Sequence, residues 1–358
     1  MPSEFFEWKV RIVTTPETTV LPAIVEEPRT LTSLLHSAVR WESGLVLLFV
    51  ISLIYGSSVS SYFFNVQTFF FAGLNFGEIA IMALPMTLII ITGEIDLSVG
   101  SMLGLSASIL GYLFTHGWNI WATMAVCLVV GILGGALNGL LVTTLGLPSI
   151  AVTIGTLTLY RGIALIVLGS NTAVGFPASF TKISLPIGNT HIAYDFAIFV
   201  ILAIIFGVVL HMTPVGRSIY AIGLQPETAY FSGIRVKRIK FSLYVISGLL
   251  CAFAGILYTF QQASSASDTG LGLELNVVAI ALFGGVSIFG GRGTIFGVFL
   301  SVAIFASLQS SLTDVNVSAQ VQSIVTGCLL LVSVLIPNAK DGAARVRSQF
   351  RRRSKEPS

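Results

Sequence analysis

Two carboxylates, Glu94 and Asp96, stand two residues apart in ITGEIDLSVGS (residues 91–101), with apolar segments on both sides. In such surroundings they could carry a proton, pair with a cation to hold a gate, or accept hydrogen bonds from a polar solute. Glu78 is another acid inside an apolar run, and Arg161, in TLTLYRGIALIVLG, is the only basic residue well inside one. A charge at a bilayer centre costs at least ~2.5–3.5 kcal/mol, so these groups must face protein or water. Arg161 requires a carboxylate or several carbonyls, and Asp96 or Glu94 is its expected partner. Asp96 can instead cap the helix that follows it. A broken helix placing the carboxylate at a gate or on the solute path is the other arrangement. Asn75, Asn138, Thr153, Gln261, Gln262 and Asn276 add neutral polar groups, each suited to a polar solute or to a bond between helices.

Other chemistries find little support. No acid–base or nucleophile arrangement stands out as a catalytic cluster. Cys127, Cys251 and Cys328 all fall in apolar segments and the four histidines are scattered, which argues against a disulfide framework, zinc or haem. GGVSIFGGRG is glycine-rich but lacks the lysine of a phosphate-binding loop.

The elements that position these residues follow from hydropathy. The chain is 54% hydrophobic and 10% charged, against about 25% charged in soluble domains. No Asp, Glu, Lys or Arg occurs from Ser43 to Gly77, from Leu97 to Tyr160 or from Phe241 to Ser267. Runs of this length read as transmembrane helices of about 20 residues each. The expected fold is an all-α, polytopic helical bundle of about ten spans, near 44–63, 74–93, 97–115, 119–145, 149–168, 193–212, 241–261, 275–290, 294–311 and 318–336. The eighth is short and glycine-rich, so a broken or re-entrant helix is expected there. Pro85 should kink the second. Gly131, Gly135 and Gly139 recur every fourth residue and mark a face where another helix approaches closely, with Gly248, Ala252 and Gly255 as a similar set.

Of 19 Lys and Arg, the polar N-terminal segment, the 213–240 loop and the tail hold most. Short basic loops stay cytoplasmic, and an even span count puts both termini on that same side. The organisation expected is therefore a cytoplasmic segment at 1–42, a transmembrane domain at 43–338 and a basic cytoplasmic tail at 339–358. Residues 1–42 lack the pattern of a cleaved signal peptide. The tail's arginines suit topology better than nucleic-acid binding. In the loop, PETAYFSGI can form a short helix with Pro226 in its first turn, Glu227 at its positive end and Gly233 to stop it.

Three stretches resemble the membrane-spanning permease subunits of bacterial ATP-binding-cassette importers for simple sugars: TGEIDLSVGS at 92–101, GLQPETAYFSGIRVKRIKFSLYVISG at 223–248 and ALFGGVSIFGGRGTIFG at 281–297. Glu94 stands where that family usually has glycine, and Gln225 where asparagine is common. The resemblance implies import of a monosaccharide or relative such as rhamnose, ribose or autoinducer-2, with no reaction catalysed and no cofactor bound by this chain. ATP would be used by separate cytoplasmic ATP-binding subunits gripping a coupling loop at Gly223, Glu227, Ser232 and Gly233. An exported sugar-binding protein would deliver the solute in a bacterial inner membrane, and a second permease, identical or related, would complete the path. Asp96, Glu94, Arg161, Asn138 and Asn276 are the expected path or gating residues. A proton-coupled secondary transporter using Glu78, Glu94 or Asp96 is the alternative, although no convincing internal repeat supports it.

Overall fold

The computed structural model describes residues 41–331 apart from 62 and 189, together with residue 335. The N-terminal segment up to residue 40 and the tail 339–358 lie outside the described residues. In chain order the helices are α1 (Trp41–Val59), α2 (Val66–Ile91), α3 (Val99–Thr115), α4 (Ile120–Thr143) and α5 (Ser149–Leu168). A single turn, α6 (Ala178–Thr181), precedes α7 (Tyr194–Met212), α8 (Pro214–Leu224), α9 (Pro226–Phe231) and α10 (Val236–Gln262). The last three are α11 (Leu273–Phe283), α12 (Ile295–Asp314) and α13 (Ala319–Leu331). The only strands among the described residues are β1 (Ala173–Val174) and β2 (Ser264–Ser265), paired antiparallel.

Every expected span corresponds to a helix. Seven of these are long and apolar enough to cross a bilayer; α3, α11 and α13 are shorter. At 1.5 Å per residue, the 11 residues of α11 reach roughly 16 Å, about half of the hydrocarbon. The chain then turns through Gly284 to Thr294, where Gly285, Gly290, Gly291 and Gly293 all take positive φ. Glycine is needed there because a Cβ disfavours that backbone region.

A helix apolar on every face belongs inside a bundle. α2 is such a helix: Asn65 caps its start by accepting the Gln67 N–H, and every residue from Phe76 to Ile91 is buried. Pro85 lies within it. α7, α10, α11 and α12 pack around α2, while α1, α5 and α7 keep broad apolar faces exposed. The glycine stripe does what its spacing predicts. A Cβ on Gly131 would collide with Ala252 and the Gly248 carbonyl, and one on Gly135 with the Tyr244 carbonyl, so α4 and α10 touch backbone to backbone.

The 92–98 turn, the segment from Thr213 to Arg235 and the 284–294 loop meet at one end of the bundle. Gly291 N–H donates to the Ile91 carbonyl at 2.8 Å, Tyr220 hydroxyl to the Gly293 carbonyl at 2.6 Å, and Trp41 Nε1 to the Phe283 carbonyl at 3.1 Å. Arg217, Arg235, Lys237, Arg238, Lys240 and Arg292 cluster toward this end; Lys182 is at the opposite one.

Candidate functional site

The turn from Thr92 to Ser98 interrupts the chain between α2 and α3. Asp96 is 2% exposed and its Oδ1 accepts the Ser98 N–H at 3.0 Å and the Ser98 hydroxyl at 2.6 Å. Its Oδ2 accepts the Ser247 hydroxyl of α10 at 3.0 Å. Asn138 of α4 donates from Nδ2 to Ser98 Oγ at 2.8 Å. From α5, Ser149 Oγ accepts the Ile95 N–H at 3.2 Å, and Thr153 Oγ1 approaches the Ile95 carbonyl at 3.4 Å. Glu94 forms an ion pair with Lys240 at the start of α10, both side chains being mostly buried. The turn is thus held from three helices, and α10 meets it through Lys240 and Ser247, seven residues apart on one helical face.

Neither carboxylate faces lipid. Asp96 does not cap the first amides of α3, as one sequence reading allowed. Ser98 is the N-cap, without a side-chain cap bond, and the Asp96 carboxyl reaches only the amide two residues on, as short acidic side chains do in turns.

Arg161 is not paired with Asp96 or Glu94. Its Nη1 donates to the Ser267 carbonyl at 3.1 Å and the Thr269 carbonyl at 2.7 Å, with Asp268 and Glu274 as the acids whose charges it senses. The reason is reach: Ser149 stands beside Ile95, and Arg161 lies twelve residues further along α5, about 18 Å along its axis. Asn138 and Thr153 join the turn, whereas Asn276 is half-buried near the start of α11, outside that network. Gln261 Nε2 ties α10 to α2 through the Leu74 carbonyl at 3.0 Å. Glu78 is buried beside Asp195 of α7, and Glu78 Oε1 and both Asp195 carboxyl oxygens lack a hydrogen-bond partner among the described residues. Asp195 is absent from the sequence-derived candidates, although an acid opening the apolar run 193–212 was a usable signal.

In the 213–240 loop, α9 runs from Pro226 to Phe231, with Pro226 in its first turn and Gly233 at φ +84° just beyond it. Glu227, Ser232 and Gly233 are exposed. Gly223 is half-buried and packs inward instead: a Cβ there would collide with the Ile91 carbonyl and stand against Gly291. The feature not singled out from sequence is an aromatic pair, Tyr230 and Phe231, 67% and 85% exposed. Large apolar side chains exposed side by side suit contact with a partner protein or with the membrane surface.

The three glycine-containing stretches therefore converge: Gly93, Gly223, Gly290 and Gly291 pack backbone on backbone around the Ile91 carbonyl. This arrangement can link displacement of the loop bearing α9 to the turn holding Glu94 and Asp96.

Residues 69–334 match the family described as "Branched-chain amino acid transport system / permease component". The chain is 32% identical over 320 residues to the autoinducer 2 import system permease protein LsrD of Klebsiella pneumoniae, covering 87% of this chain and 96% of that protein. It is likewise 32% identical over 323 residues to the LsrD proteins of Escherichia coli K12 and Shigella flexneri, covering 88% of this chain and 98% of each. No solved structure matches.

Proposed function

The chain belongs to this transport permease family, and from that membership we propose that it forms the membrane path of an ATP-driven importer for a monosaccharide-sized sugar derivative, of which autoinducer 2 is one example. The observation that carries the reading is the 32% identity to autoinducer 2 import permeases over nearly their whole length. In this reading the chain catalyses no reaction and binds no cofactor. ATP is bound and hydrolysed by separate cytoplasmic subunits, which grip α9 and its exposed Tyr230 and Phe231. An exported binding protein delivers the solute to the opposite end, and a second permease completes the path. The protein sits in the bacterial inner membrane with both termini cytoplasmic, an orientation supported by the basic residues gathered around α8–α10.

The mechanism follows from the connections of α9. ATP binding by the partners displaces α9 and the basic start of α10. The Lys240–Glu94 and Ser247–Asp96 contacts pass that displacement to the 92–98 turn. The turn, bonded also to α4 and α5, shifts those helices relative to α2 and alternates access. The proton-coupled reading fares worse: Glu94 is taken by Lys240 and Asp96 by serines, which leaves it only Glu78 beside Asp195, and the related proteins are import-system permeases.

The test is purification of the tagged chain in mild detergent from cells expressing its native gene neighbourhood. An ATP-binding subunit should co-purify with the wild type and be lost with Gly233→Asp. Recovery of a stable chain without any such subunit, with uptake driven by a proton gradient, would overturn the proposal.

A further inference from the structure

Irregular backbone survives at membrane depth only where it is buried in protein or lines a water-filled cavity. The segment between α10 and α11 is of this kind. Ser265 Oγ donates to the Ala107 carbonyl at 2.6 Å, whereas Gly270 lies against the Gly100 carbonyl. Between those points the chain descends seven residues of α3, about 10 Å, toward the 92–98 turn. It is held on every side: β2 pairs with β1, Ser267 Oγ donates to the Gly169 carbonyl at 2.7 Å, and Arg161 grips the carbonyls of Ser267 and Thr269. No Cβ fits at Gly104, which lies against Thr269 and the Arg161 guanidinium. Beside this braced segment lies a hollow of about 370 Å³ lined by Tyr258, Gln262, Ser264, Asp268 and Thr269.

We propose that this hollow is a binding site for a neutral, hydroxyl-rich solute of monosaccharide size, with Gln262 and Asp268 as its principal hydrogen-bonding groups and the Tyr258 ring as a wall. The proposal deepens the importer reading and rests on it for the direction of transport. The lining offers donors and acceptors close together with an aromatic face. Among the described residues it offers no free cation: Arg161 is committed to two carbonyls and flanked by Asp268 and Glu274. A branched-chain amino acid could set its ammonium against Asp268, but its carboxylate would find no cation, and its apolar side chain would meet Leu271, Leu273 and the Tyr258 ring in a largely polar lining. The lining therefore favours the sugar-like class named for the related proteins over the amino-acid class of the family description.

The test uses the full-length chain purified in detergent, with Cys328→Ser removing the exposed thiol among the described residues and Leu271→Cys adding a reporter at the rim. Reaction of the reporter with a polar maleimide is timed with D-ribose, L-rhamnose, autoinducer 2 or L-leucine. At least one hydroxylated probe should slow labelling. Asp268→Asn or Gln262→Ala should raise its half-protecting concentration about tenfold, the loss of one good hydrogen bond. A reporter at Trp118, exposed on a different helix connection, should show no protection. Protection by L-leucine, by no probe, or unchanged in both lining variants would overturn the proposal. Because no ATP-binding subunit is present, this outcome is independent of the co-purification that tests the importer reading.

Discussion

Asp96 and Glu94 do different work although two residues separate them. Asp96 accepts bonds from one amide and two serine hydroxyls, all buried. Hydrogen bonds to a charged group are worth about 1.5–3 kcal/mol each, and orphaned buried donors add to the loss. Asp96→Ala should lower stability by about 3 kcal/mol or more, read as the melting temperature of the purified protein, with Asp96→Asn in between. Glu94 has a single cation, Lys240. Glu94→Gln and Lys240→Met should each cost about 1.5–3 kcal/mol, but the double variant less than their sum, because the second change removes a charge already left alone. Additive losses in that cycle would show that the two side chains do not interact. Arg161 illustrates how little residue type says about partner identity. A buried guanidinium needs acceptors, and backbone carbonyls served, although the sequence displayed two plausible carboxylates.

At the scale of elements, glycines separate cleanly by environment. Gly135 sits where α4 meets the backbone of α10, whereas nothing lies within 4 Å of a Cβ placed on Gly155 of α5. Gly135→Val should force the two helices apart and cost several kcal/mol, about the scale of severe core overpacking. Gly155→Ala should be neutral or slightly stabilising through helix propensity. Comparable yields and melting temperatures for both variants would contradict the close approach. Gly233 tests conformation rather than space: it is exposed at φ +84° with open surroundings. Gly233→Ala should cost about 1–2 kcal/mol locally and, on the importer proposal, weaken co-purification of an ATP-binding subunit, while the melting temperature of the bundle changes little.

For the whole molecule, the basic residues make sidedness a measurable quantity. Cysteines introduced at Lys182 and Lys237 in intact cells should differ, with position 182 reacting with an impermeant maleimide and position 237 reacting only after permeabilisation. The reverse pattern would invert the bundle and place α9 on the wrong face for a cytoplasmic partner. The half-length α11 and the descending segment before it give the molecule its internal asymmetry. Among the described residues seven helices have the length to cross, while polar backbone enters the bundle from the end opposite α9.

Much of this was legible without coordinates. Hydropathy and charge act locally along the chain and sum within windows of about 20 residues, so the segments, their helical state and the end of the bundle that gathers most of the described lysines and arginines could be read directly. The four-residue glycine repeat of α4 likewise announced a close helix contact, and the three motif stretches announced a family. Only the tertiary structure decided which groups meet. The depth and rotation of packed helices brought Lys240 to Glu94, Ser247 to Asp96 and the carbonyls of Ser267 and Thr269 to Arg161. Those pairings span separations from 106 residues, for Arg161 and Ser267, to 151, for Asp96 and Ser247. Every residue carries a carbonyl, so an arginine that chooses carbonyls leaves no mark on the residue pattern of its partners.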